Sequence, residues 1–68
     1  MEEKRLFDLE MSHLQKHVTI DIGWDQTESG TLTDFYGSFD EDDNAVVAVE
    51  LDENLTFFLP PNSKVFVN

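Results

Sequence analysis

The chain has 68 residues, fifteen of them Asp or Glu against four Lys or Arg, giving a formal net charge of −11, and it has no cysteine. A domain this small buries only about 60% of the surface its unfolded chain exposes, and here neither a disulfide nor a thiolate zinc site can reinforce it. The charge argues against direct binding to DNA, RNA or anionic lipid, because affinity for phosphates comes from Lys and Arg displacing counterions.

With 40% hydrophobic residues, six Phe and one Trp, the composition is that of a globular domain rather than of a disordered acidic tail. The acidic opening Met1-Glu2-Glu3 differs from the basic start of a signal peptide. The longest apolar run, Ala45 to Val49, is far short of the ~20 residues of a membrane span. A soluble, cytoplasmic protein is expected.

In chain order, Phe7, Met11 and Leu14 recur at i, i+4 and i+7 with Leu6 beside them, which predicts an amphipathic helix over 3–15. Glu2 and Glu3 suit its N-terminal dipole and Lys16 the opposite end. The competing reading is a short strand, since Phe7, Leu9 and Met11 also alternate. Val18, Ile20, Ile22 and Trp24 then alternate with polar residues as a strand with one buried face, and 23–30 reads as a loop. In Thr31–Phe39 the apolar set switches from Leu32 to Phe35 and Phe39, which predicts a bulge or sharp bend near Thr33–Phe35 or at Gly37. Asp40–Asn44 has the composition of a turn. Ala45–Leu51 is apolar on most of both faces and reads as a central strand. Asp52-Glu53-Asn54 is a tight turn, Leu55–Leu59 a strand ended by Pro60-Pro61, and Val65–Val67 a short last strand with Phe66 on its other face.

These elements make one domain, 1–68, mainly β: an N-terminal helix (3–15) followed by a five-stranded, antiparallel, bent and partly open small barrel (17–67). Three features carry a likeness to the Sm-like and SH3-like small barrels. They are the helix running into His17–Ile22, the Gly30-Thr31-Leu32 start of a bent second strand, and Pro60-Pro61-Asn62-Ser63 before Lys64–Val67. The sequence resembles those barrels over nearly its whole length, at the level of pattern. In Sm proteins an Asp- and Asn-containing motif before the third strand helps to form an RNA pocket. Asp43-Asn44-Ala45-Val46 stands at that place here, without basic neighbours. Leu59-Pro60-Pro61-Asn62 is similar to the proline–asparagine segment of SH3 domains, although no aromatic-acidic signature of a ligand groove precedes it. In layout and negative charge the chain also resembles the small acidic proteins that inhibit Rho.

Several constellations invite a chemical reading. Asp40, Asp42 and Asn44 are spaced like the first ligands of a calcium loop, but Ala45 and Leu51 stand where an EF-hand needs Gly and Glu, so a solvated turn is expected. His13 and His17 would share one face of a continuing helix, where their two nitrogens make half of a tetrahedral metal site and Glu10 could add an oxygen. Leu14 stands where the zinc-protease HExxH motif has its Glu. Asp21 and Asp34 would need a desolvated cleft for acid–base work, and a small barrel is filled by its own side chains. No serine has a Gly-x-Ser-x-Gly setting. No catalytic residue, cofactor or metal site is assigned, and a non-enzyme is expected.

Charge and aromatics remain. Lys4, Arg5, Lys16 and Lys64 lie near the ends, and from His17 to Ser63 there is no cation. Tyr36, Phe58 and Phe66 fall on the strand face opposite Phe35, Phe57 and Val65; either the helix covers them or they form an apolar patch of the kind that marks an interface. The expected function is a small acidic adaptor or inhibitor that docks on a basic protein, such as a nucleic-acid-binding one, through Trp24, Asp25, Glu28, Asp40, Glu41, Asp42, Asp43, Tyr36 and Phe58. The alternatives are an Sm-like RNA-binding module and a self-assembling subunit that pairs edge strands 55–59 and 65–67 between chains. Oligomeric state is left open.

Overall fold

Six strands build the protein in a computed structural model that describes all residues, Met1–Asn68. They are β1 (Glu2–Arg5), β2 (His17–Gly23), β3 (Gln26–Phe39), β4 (Ala45–Leu51), β5 (Leu55–Leu59) and β6 (Lys64–Val67). Together they form one open antiparallel sheet of order β1-β6-β2-β3-β4-β5.

The alternation of Val18 and Ile20 works as the sequence requires, since both are completely buried. Their strand turns back at once. Gly23 pairs with Gln26, and Trp24 and Asp25 fill a two-residue turn with φ of 58° and 57°, the left-handed pair of a type I′ hairpin. The loop expected over 23–30 is therefore mostly strand, and Thr19 Oγ1 and Ser29 Oγ share a cross-strand hydrogen bond of 2.8 Å.

β3 is long enough to serve both halves of the sheet because its parity changes midway. Leu32 pairs with Leu51, Asp34 with Glu50, and Thr33 is the extra residue between them. A one-residue slip flips every later side chain to the other face. The bulge thus lets Leu32 and Phe35 both face inward, as their spacing anticipates. Thr33 Oγ1 donates to Glu50 Oε1 (2.7 Å) and accepts the Glu53 N–H (3.0 Å), which fastens the bulge to β4 and the turn beyond it.

The expected helix over 3–15 is absent, as is the alternating strand over Phe7–Met11. Residues 2–5 are β1, followed by two single 3-10 turns at Leu6–Asp8 and Met11–His13. The reason is tertiary. β6 lies between β1 and β2, so without β1 its outer edge would be bare. The pairing runs on past Arg5: the Leu6 N–H donates to the Ser63 carbonyl and the Phe7 N–H to the Pro61 carbonyl, each at 3.0 Å. This path buries Leu6 and Leu9 and exposes Phe7 and Met11, two of the three residues whose spacing predicted the helical face. The count of strands is accordingly six, not five, and 65–67 is an interior strand rather than an edge.

The core joins Leu6, Leu9, Val18, Ile20, Leu32, Val47, Val49, Leu51, Val65 and Val67, with Leu14, Ile22, Phe35, Phe57 and Leu59 packed around it. Burying each such aliphatic side chain is worth about 1.5–3 kcal/mol, so this cluster holds the sheet in its bent form. No helix is long and apolar enough to cross a membrane.

Candidate partner-docking face

Every fully buried apolar side chain is aliphatic; all six Phe, Tyr36 and Trp24 are at least partly exposed. Because Val47 and Val49 of β4 face the core, Ala48 between them faces outward. Tyr36 pairs with Ala48 on one side and Phe58 pairs with it on the other. With the helix absent, nothing lies over this row: Tyr36 is 49% and Phe58 60% exposed, while Ala48 beneath the two rings has no exposure.

One row along the same face, Asp34 pairs with Glu50, and Glu50 with Thr56. Like charges directly opposite in a sheet repel. The outer face of β3, β4 and β5 thus presents an aromatic row beside a carboxylate row. No Lys or Arg occurs anywhere in these strands or their turns.

The acidic turn after β3 is built locally. Asp40 Oδ1 accepts the N–H groups of Asp42 and Asn44, both at 2.9 Å, and the Asp40 N–H donates to the Asn44 carbonyl at 2.9 Å. The backbone N–H of Asn44, helped by that of Asp42, holds the Asp40 carboxyl below the usual carboxylate range. The first ligand position of the calcium-like spacing is therefore occupied in capping its own turn, and residues 40–44 are exposed.

Trp24, 95% exposed, and Asp25 occupy the tip of the β2–β3 hairpin, at the opposite end of β3 from the 40–43 turn. A shallow cleft of about 240 Å³ lies between Asp21, Ile22 and Gly23, which lead into this tip, and Leu59, Pro60 and Ser63 at the end of β5 and beyond it; neither Trp24 nor Asp25 lines it. Glu28 stands apart, half-buried opposite Ile20. Of the nine residues singled out by the sequence, the fold therefore makes three groups, Tyr36 with Phe58, Trp24 with Asp25, and the four acids of the 40–43 turn, and leaves Glu28 alone.

The cations gather at the other side of the sheet. Lys4 and Arg5 lie on β1, Lys64 lies opposite Arg5 on β6, and the one ion pair joins Lys4 to Glu2 at 3.6 Å.

The two histidines do not share a face. His13 is buried in a 3-10 turn, where its Nδ1 accepts the Glu10 N–H at 2.9 Å while its own backbone N–H donates to the Glu10 carbonyl at 2.9 Å. His17 is exposed on β2, and its Nδ1 meets Asn68 Nδ2 at 3.0 Å. Asp21 and Asp34 each accept a nearby backbone N–H, from Gly23 and Phe35. The larger open cleft, about 640 Å³, lies among Met1, Glu2, Ser12, His13, Lys16, Val67 and Asn68, away from the aromatic row.

The sequence reading missed Phe39, 71% exposed beside the acidic turn, and Leu55, 44% exposed at the start of β5. A signal existed for Phe39, whose neighbours on the carboxyl side are four consecutive acids. No protein-family model matches this chain, and neither does any curated protein or solved structure.

Proposed function

We propose that this chain is a small acidic, non-catalytic protein-binding module, an adaptor or inhibitor, that docks on a basic protein surface such as that of a nucleic-acid-binding protein. The observation that carries the reading is the pair of exposed rings, Tyr36 and Phe58, on either side of Ala48 and beside the Asp34–Glu50 carboxylates, in a region without a cation. Exposed aromatics are the residues most often found as interface anchors. A surrounding field of one sign speeds encounter with an oppositely charged partner and weakens with salt. A chain without cysteine suits a reducing compartment, so the cytoplasm is the proposed place of action.

The test is affinity capture from lysate at ~50 mM salt, where the Debye length still exceeds ~10 Å. Wild-type protein is compared with the double variant Tyr36→Ala and Phe58→Ala, which has the same net charge. Retention of basic proteins by the wild type alone, with release at high salt, supports the reading. Equal retention by both would reduce the interaction to ion exchange. Salt-resistant shift of RNA in a gel would favour the RNA-binding alternative instead.

A further inference from the structure

We infer that β5 is a receiving edge, onto which a partner protein adds an extended, basic segment as a seventh strand. This rests on the docking reading above and gives it a geometry. The sheet has two edges, β1 and β5, and they differ in kind. Natural sheets protect an edge with charge, proline, a bulge or a covering loop. Every residue of β1 is charged, Glu2-Glu3-Lys4-Arg5. By contrast, β5 is Leu-Thr-Phe-Phe-Leu over residues 55–59, without a charge, a proline or a register shift, and with no residue buried. Its backbone bonds to β4 on one side, and no other strand pairs with it. An unprotected, uncharged edge is the template used in strand addition, where main-chain hydrogen bonds give affinity and alternate side chains give specificity.

Charge selects the occupant. The face beside this edge carries Asp34 and Glu50, Asp52 and Glu53 lead into β5, and the register Val47 with Leu59 sets the 40–44 turn just beyond its far end. A second copy would bring its own net charge of −11 to that face, and its one other edge, β1, carries two acids against two bases. A basic segment from a different protein is the complementary occupant.

The rows across the sheet state its pattern. Asp34–Glu50–Thr56 is one row and Tyr36–Ala48–Phe58 the next, two residues along each strand. An added strand therefore places Lys or Arg opposite Thr56, within reach of Glu50, and an apolar side chain opposite Phe58, two residues apart on the same face. That cation would also relieve the carboxylate repulsion between Asp34 and Glu50.

The experiment uses the full chain and a capped eight-residue peptide in which lysine and isoleucine alternate with threonine, followed by backbone amide signals and hydrogen exchange. Two control peptides replace lysine with glutamate or carry N-methyl groups on alternate amides. The expected result is at least a tenfold slowing of exchange at amides in 55–59 with the lysine peptide. Both controls should bind at least tenfold more weakly. If the N-methylated peptide binds as well as its parent, or the parent perturbs the outer face without protecting β5, edge addition is overturned while acidic docking stands. No binding by the lysine peptide also overturns it, and the capture experiment then judges docking separately. Equal binding of the glutamate peptide removes the basic occupant. Protection of β5 with dimerisation in the absence of peptide would give the edge to a second copy.

Discussion

Tyr36 and Phe58 flank Ala48 in a single row across β3, β4 and β5, and the alanine between them is fully buried although its strand neighbours Val47 and Val49 face the core. The two rings thus shield a small outward-facing methyl while remaining exposed themselves. Cross-strand pairs of this kind contribute about 0.2–1 kcal/mol. Phe58→Ala should therefore lower stability in urea by no more than about 1 kcal/mol, and the same substitution should abolish capture of basic proteins. A large loss of stability would place Phe58 in the core and remove it as an anchor.

Gly30 has a steric reason to be glycine. A Cβ there would meet Asp52 Oδ2 at 2.7 Å, and Asp52 cannot easily withdraw because its Oδ1 accepts the Thr31 N–H at 2.9 Å. Gly30→Ala should destabilise by about 1–3 kcal/mol, the usual range for overpacking. Asp52 has φ 55°, so Asp52→Gly removes the carboxylate without straining the turn. The double variant should be more stable than the sum of the two single effects implies. Strict additivity in denaturant melts would show that the two groups do not collide.

Trp24 is an expensive residue at its position. A left-handed conformation costs an L-residue about 1–2 kcal/mol, and Trp24, with φ 58°, gains no burial in return. Trp24→Asn with Asp25→Gly, the pair this turn prefers, should stabilise by about 1 kcal/mol or more. For a domain of this size that is a rise of about 4–8 °C in Tm. If the tip contacts the partner, binding should weaken as stability rises. An unchanged or lower Tm would mean that the turn is not under strain.

The 40–44 turn should respond to acid in a definite direction. The Asp40 carboxyl is held below its ordinary value by the N–H groups it accepts, so the folded state favours the ionised form. Its contribution is present above the unfolded value of about 3.9 and is lost as pH falls through the lower folded value. In a carboxyl NMR titration Asp40 should titrate below the ordinary range for Asp, with the Asp42 and Asn44 amides moving at the same midpoint. Asp40→Asn should remove that shared transition. Amides indifferent to pH across this range would mean the caps do not persist in solution.

Eleven uncompensated charges with one ion pair, Lys4 to Glu2, leave the carboxylates of residues 17–63 to repel one another. Raising salt through ~0.15–0.5 M should screen them and raise Tm. A Tm flat with salt would show the charges to be too far apart to matter.

Much of this architecture can be read from local residue patterns. Ala45–Leu51 and Leu55–Leu59 begin and end where their apolar runs and turn residues place them. The broken alternation after Leu32 marks the bulge at Thr33, because a face can change only where a residue is added to the strand. The N-terminal segment illustrates the opposite case. Its local spacing suits a helix, yet the unpaired edge of β6 and the carbonyls of Pro61 and Ser63 draw it out into β1 and two short turns. Those partners are some sixty positions away in the chain, beyond the reach of any local pattern.

The same division holds for the candidate site. Acidity between His17 and Ser63, and the identity of Tyr36 and Phe58 as outward-facing residues, are fixed by composition and by the two-residue repeat of a strand. Whether anything covers those rings, which carboxylates stand opposite one another, and which strand is left as an open edge are settled by pairing between distant segments. Hydrogen bonding decides the neighbours of a strand only once the whole sheet is assembled.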